Sequence, residues 1–241
     1  MLSLITFPPG FDEPSLSPFC VKAMILLKMS GQDWRPEWAS HPKAGPLGKL
    51  PALRTPDGVI PDSALIQEWL TGQGADLFPG MDRQQRAQAH ALMRMVEDSL
   101  HHGLIHDRWA RDDAWSLVKP VYFAAMPAPV RAVVPNMLRK GVVKGLHRQG
   151  FARYSEAQRL TFMQADLDAL SVQLGDQPYL FGDQPCAADA SALPFLSMLA
   201  GLPCDTPLRA AVRANDRLME YVARGRAALY PKLSLWSAAA A

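Results

Sequence analysis

Residues 15–20 read SLSPFC, between a turn-rich connector, PPGFDEP, and an apolar run, VKAMILLKM. If a helix begins near Pro18, Ser17 takes its N-cap place and Pro18 the first position, where proline is favoured. A helix N-terminus gathers unpaired N–H groups and the positive end of the macrodipole, so a thiolate held there is stabilised and its pKa falls. A plain cap accounts for Ser-Pro equally well, and Cys20 in the first turn can be a small buried apolar side chain. Two later stretches bear on the choice. In LPAL, 50–53, Pro51 opens a strand, which suits a cis peptide bond or an open edge. A cis bond there would turn the Leu50 N–H and C=O outward, free to pair with an extended peptide ligand. Asp62-Ser63 falls between a strand and a helix. Ser63 offers a hydroxyl and helix N–H groups to a carboxylate, and Asp62 offers a carboxylate to an ammonium, which together suit the α-amino acid end of a ligand. Ser63 alone reads equally well as a cap.

These residues need elements to hold them. Residues 2–7 alternate apolar and polar side chains and predict a strand. Val21–Met29 predicts a mostly apolar helix, with Lys22 and Lys28 as its charged positions and Gly31 as its stop. Residues 33–39 predict a second strand, and Pro36 places it at an edge. The prolines and glycines of 40–49 exclude a long helix. Residues 49–55 and 58–63 predict short strands about the turn PDG, and 63–74 an amphipathic helix. The order is β-α-β-loop-β-β-α.

After Pro79 the strand signals stop. Residues 83–113 predict one long helix, and 116–150 helices interrupted at Pro120, Pro127, Pro129 and Pro135. Residues 155–175 carry Leu160, Met163, Leu167, Leu170 and Leu174 at helical spacing, with Ser155 as N-cap and Gly175 as stop. Further helices are expected at 187–200 and 206–224, and the alanine run at 238–241 as a frayed tail. The expected architecture is α/β plus all-α: a mixed unit over 1–78 and a helical unit over 84–241.

This arrangement resembles the glutathione transferase superfamily. SPFC at the first helix, LPAL at the third strand and DS before the last helix look like its thioredoxin-like domain. The helical remainder is similar to its C-terminal bundle, with FGDQPCAADA, 181–190, opening the core helix. There the family has Ser or Thr where this chain has Cys186, paired with Asp189 as a capping box. Within the superfamily, SPFC, GPLGKLP and DS look most like the bacterial relatives of metaxin and failed-axon-connections proteins.

The resemblance implies glutathione as co-substrate, with Ser17 donating to its sulfur. Leu50, before Pro51, would pair with its cysteinyl part, Asp62 and Ser63 would hold its γ-glutamyl end, and Lys49 would meet its glycyl carboxylate. The implied reaction is attack of glutathione thiolate on a small apolar electrophile, a detoxification chemistry, with proximity and thiolate stabilisation supplied by the protein. Phe19, Arg108, Trp109, Trp115 and Tyr154 are candidates for the second-substrate wall. A non-catalytic binding or scaffold protein stays open. So does a glutathione-dependent thiol reductase, in which Cys20 would be the catalytic thiol. Relatives commonly form homodimers.

Composition sets the outer limits. Of 241 residues, 49% are hydrophobic and 20% charged, an ordinary globular balance. A net charge of +2 gives no bulk electrostatic case for nucleic acid or membrane partners. Three widely spaced cysteines suggest neither a disulfide framework nor a zinc site, and suit a reducing, cytoplasmic setting. His102 and His106 have i, i+4 spacing, but with His101 they read as a solvated or interface face, so no metal is expected. The basic run from Arg131 to Arg153, with Arg139, Lys140, Lys144 and Arg148, reads as a solvated surface.

Overall fold

The computed structural model describes residues 1–231; the alanine run lies outside the described residues. Four short strands form one sheet: β1 Leu2–Thr6, β2 Trp34–Trp38, β3 Ala52–Thr55 and β4 Gly58–Pro61, in the order β2-β1-β3-β4. β1 pairs parallel with β2, with Leu2 opposite Trp34, and antiparallel with β3, with Leu4 opposite Leu53. β2 is an edge strand, as Pro36 requires. Helices α1 Pro18–Met29 and α2 Ser63–Gly72 complete this unit. Residues 40–49 hold one short 3-10 turn, Pro42–Ala44.

The long helix begins at α3, Arg83–Arg94, after an Asp82 cap that forms a reciprocal box with Gln85. It runs through a π-helical turn, Met95–Leu100, then α4, His101–Ile105, and a second π-helical turn, His106–Ala110. No residue pattern marks these wide turns in advance. α5, Asp112–Tyr122, and α6, Ala128–Gln149, follow. The predicted breaks at Pro120 and Pro135 are not made, since both prolines lie inside helices. Pro127 and Pro129 sit instead at the start of α6, where a missing N–H removes no helix bond.

α7, Glu156–Leu174, has the predicted ends: Ser155 Oγ accepts from the Gln158 N–H, and Gly175 takes φ 54°. α8 spans Ala187–Ala200. The single helix expected over 206–224 is two, α9 Pro207–Arg213 and α10 Asp216–Leu229, because Asn215 caps a new start by accepting from the Leu218 N–H.

One hydrophobic core crosses both units. α1 is buried on nearly every face, and its Met24, Ile25 and Leu27 share a cluster with Leu193, Phe195 and Leu196 of α8. The start of α8 is held by Asp189, which is fully buried. Its Oδ2 accepts from the Cys186 N–H (2.8 Å), and its Oδ1 from the Leu180 N–H (2.9 Å) and the Tyr221 hydroxyl (2.7 Å). Burial raises the Asp189 pKa, and these donors oppose the rise. The return bond of the box falls to the Cys186 sulfur, a weak acceptor. Cys186→Ser is therefore expected to stabilise the fold by about 1 kcal/mol, the usual worth of a hydroxyl cap, read as a higher urea midpoint at unchanged m-value.

Candidate active site

The connector from β1 to α1 is built by short-range bonds. Gly10 and Glu13 exchange backbone hydrogen bonds, and between them Phe11 (φ 55°) and Asp12 (φ 59°) both take left-handed backbone. That is the two-residue turn which glycine or asparagine favours, so a phenylalanine there is strained and must be held by its surroundings. Its ring meets Tyr122 of α5 at 6.2 Å. Glu13 is buried and binds the helical unit: Oε1 accepts from Ser197 Oγ (2.5 Å) and Arg226 Nη1 (2.6 Å). Burial raises the Glu13 pKa despite those partners. Buried Ser15 then fixes the approach to the helix, its Oγ accepting from the Ser17 N–H (3.4 Å) and the Thr6 hydroxyl (3.3 Å).

Ser17 stands in the N-cap place of α1, with φ −114° and ψ 128°, but its side chain makes no cap hydrogen bond. Cys20 is not an exposed thiol. It is fully buried in a small cluster with Ile5, Leu50 and Ala52. Burial pushes its pKa up, against the pull of Thr6, Phe7, Ser17 and Ser15 around it. A reactive cysteine needs access and a depressed pKa, so the expectation of a catalytic Cys20 is corrected and the reductase reading loses its nucleophile.

The Leu50–Pro51 peptide bond is cis. Pro51 O accepts from the Asp62 N–H (3.0 Å), so the two motifs far apart in sequence are joined directly. The Leu50 N–H and C=O enter no turn or loop hydrogen bond among the described residues. The approach to Leu50 depends on Gly45, where a Cβ would lie 2.0 Å from the Lys49 carbonyl oxygen. Lys49 itself is exposed.

Asp62, not Ser63, caps α2: its Oδ1 accepts from the Ala64 N–H (2.8 Å). Its φ of 69° with ψ 141° costs a non-glycine residue about 1–3 kcal/mol, the kind of strain found at functional sites. Ser63 is 2% exposed, and its hydroxyl has no hydrogen-bond partner among the described residues.

The helical unit faces this connector with aromatic side chains. Trp109 contacts Trp115 (5.2 Å) and Tyr122 (5.7 Å). Arg108 is buried and donates through Nη1 to the Leu16 carbonyl (3.1 Å), one residue before Ser17. Arg139, expected as a solvated charge, instead donates to the Trp109 (2.7 Å) and Ala110 (2.9 Å) carbonyls and closes the second π-helical turn. Trp115 is buried between Trp109 and Phe123; its ring lies under Arg139 and forms the floor of a groove with Lys140, Lys144 and His147. Tyr154 does not join the wall; it is 45% exposed, and its ring packs on Phe162 of α7 at 5.1 Å.

Phe19 packs between the units, edge-on to His101 (4.9 Å) and Phe195 (5.3 Å). His102 and His106 lie against Phe151, and no group of three or more metal-ligating side chains converges among the described residues. Burial, helped by nearby His102, lowers the His101 pKa from 6.5 to about 4. The unfolded chain therefore takes up a proton near pH 6.5 that the native state refuses until about pH 4. Stability is expected to fall as pH drops across that window, by up to about 3 kcal/mol. His101→Leu should flatten that slope, checked by urea unfolding at pH 7.5, 5.5 and 4.5.

Sequence reading missed Phe11, Glu13 and Tyr122. Glu13 offered a faint signal, a carboxylate inside a connector otherwise made of turn residues. Its partners are far along the chain.

The family model for the glutathione S-transferase N-terminal domain matches residues 18–115, and that for the C-terminal domain matches 163–225. Isoprene-epoxide–glutathione S-transferase from Rhodococcus sp. (strain AD45) is 31% identical over 94% of this chain and 98% of its own. Metaxin-1 from Mus musculus is 28% identical over 91% of this chain and 72% of its own. The β-etherase LigF structure from Sphingobium sp. strain SYK-6 superposes with a TM-score of 0.67 at 17% identity, covering 94% of this chain and 95% of that one. Sheet order, the paired Pro51 and Asp62, the capped core helix and 31% identity to a named transferase over 94% of this chain lead to one conclusion: this chain belongs to the glutathione S-transferase family.

Proposed function

We propose that the chain is a glutathione transferase that adds the thiolate of glutathione to a small apolar electrophile. The observation that carries this reading is the Ser17 hydroxyl, placed at the start of α1 and unspent on capping. Around it, the Leu50 backbone would pair with the cysteinyl part of glutathione, and Ser63 would receive the γ-glutamyl carboxylate. The free oxygen of Asp62 would hold the ammonium, and Lys49 the glycyl carboxylate. Ser17 would donate to sulfur, and the macrodipole of α1 would favour the anion. A free thiol has a pKa near ~8.5, so lowering it by roughly two units keeps most of the bound glutathione as thiolate at neutral pH. Phe11, Trp109 and Tyr122 would shape the apolar side of the second-substrate site. The Rhodococcus relative is named for an epoxide, and we carry that electrophile class to this chain.

A binding or scaffold role is the second reading, favoured by the likeness to metaxin-1 over most of the chain. Calorimetry with glutathione and turnover of a small epoxide by wild type and Ser17→Ala separate the two. Turnover that depends on the hydroxyl supports the enzyme. Binding without turnover, indifferent to the substitution, supports the scaffold.

A further inference from the structure

Arg108 is a buried cation with no carboxylate in contact among the described residues. It sits in the second π-helical turn, a geometry that recurs at functional sites, and is 5% exposed. No carboxylate oxygen lies within 4.0 Å of it among the described residues. By contrast, buried Lys22 is paired with Glu97, and Arg226 with Asp12 and Glu13. The groups in hydrogen-bond contact with Arg108 are the Leu16 carbonyl and the Tyr122 hydroxyl, both neutral, while the Glu13 carboxylate, already bonded to Arg226 and Ser197, acts on it only at longer range. A guanidinium taken out of water with no carboxylate in contact is costly, and an anion bound against it reduces that penalty. Its tie to Leu16 holds it one residue from Ser17, where the helical unit meets the start of α1.

We propose that Arg108 receives the negative charge that develops on the oxygen of the electrophile, and so selects epoxides over electrophiles that release a halide. This rests on the glutathione transferase reading and gives it a second catalytic residue. In the step, the thiolate sulfur forms a bond to a ring carbon while the C–O bond of the ring breaks. The electron pair passes to the oxygen, which Arg108 holds as an alkoxide until it takes a proton from water. That proton replaces the one glutathione released to solvent when its thiol ionised.

The test compares wild type with Arg108→Met. Glutathione affinity is read by calorimetry, the bound thiol by its ultraviolet thiolate absorbance against pH, and kcat/KM with styrene oxide and with an alkyl iodide. The ratio of epoxide to iodide turnover should fall about 100-fold, the usual loss when an oxyanion donor is removed, with the thiol titration unmoved. Arg108→Lys, which keeps the charge, should fall between the two, and it carries the comparison if the methionine variant does not fold. A ratio that stays within about threefold overturns the proposal. So does a thiol titration that moves to higher pH while both rates fall together, which would make Arg108 a counter-ion of the thiolate. Wild type that binds no glutathione overturns the parent reading instead, a result recorded before any variant is compared.

Discussion

Ser17→Ala is expected to lower kcat/KM for glutathione addition to an epoxide by about 100-fold, as loss of one donor to a developing or resident anion does. Glutathione affinity should change little, because the Leu50 backbone, Asp62, Ser63 and Lys49 would supply most of the contacts. The acid limb of the pH–rate profile should move up by roughly two pH units as the bound thiol returns toward its free pKa. The direction follows from the proton: a donor to the thiolate lowers its pKa, and its removal confines the reactive form to higher pH. Stability gives an independent check. A serine serving as a helix cap costs about 1 kcal/mol when replaced by alanine, whereas a hydroxyl with no cap bond costs within about 0.5 kcal/mol. Ser17 makes no such bond, so its loss should be nearly silent in urea unfolding and plain in turnover. A rate within threefold of wild type would remove Ser17 from the reaction.

The largest effect on stability is expected at Lys22. Its side chain is 0% exposed, and its Nζ donates to Glu97 Oε1 at 2.5 Å. The same oxygen accepts from Ser191 Oγ at 2.6 Å. One ion pair thus joins α1, the first π-helical turn and α8. Lys22→Met leaves the Glu97 carboxylate buried beside a hydroxyl, with Arg94 no nearer than 3.8 Å. Breaking one half of such a pair costs about 3–5 kcal/mol, enough to unfold a marginal protein. The double variant, Lys22→Met with Glu97→Leu, removes both charges and should recover most of the loss. Chemical denaturation of the three proteins tests this. A double variant no more stable than Lys22→Met would mean that packing, rather than the stranded charge, sets the cost.

The N-terminal unit was legible because its signals are local. Strand alternation, the turn PDG, the edge proline and the order of short motifs all act within a few residues. Pro51 and Asp62 could each be singled out, although their direct hydrogen bond could not. α1 misled in one respect. Its charged positions, Lys22 and Lys28, suggest an exposed stripe, yet the helix has almost no surface. Lys22 is buried, and Lys28 donates to the Ala228 carbonyl at 2.7 Å. The apolar character of every other position was the available warning. The helical unit was harder. A π-helical turn leaves no residue signature, so the burial of Asp107 was invisible, while Arg108 could be singled out only through the resemblance. Pro120 and Pro135 were taken for breaks because propensity is local, while the packing that tolerates them is not. Cys20 shows the same limit: its place near a helix start suggested reactivity, and its burial beneath Leu50 decides otherwise.

The wrapping of α1 bears on how such a chain could evolve. A thioredoxin-like unit is often imagined as a cassette, free to be excised or recombined with other partners. Here its central helix exchanges an ion pair, a carbonyl contact and much of its apolar surface with the bundle. Graft compatibility would then hinge on covarying positions on both sides of the seam, and descent would favour inheritance of the two halves as one block.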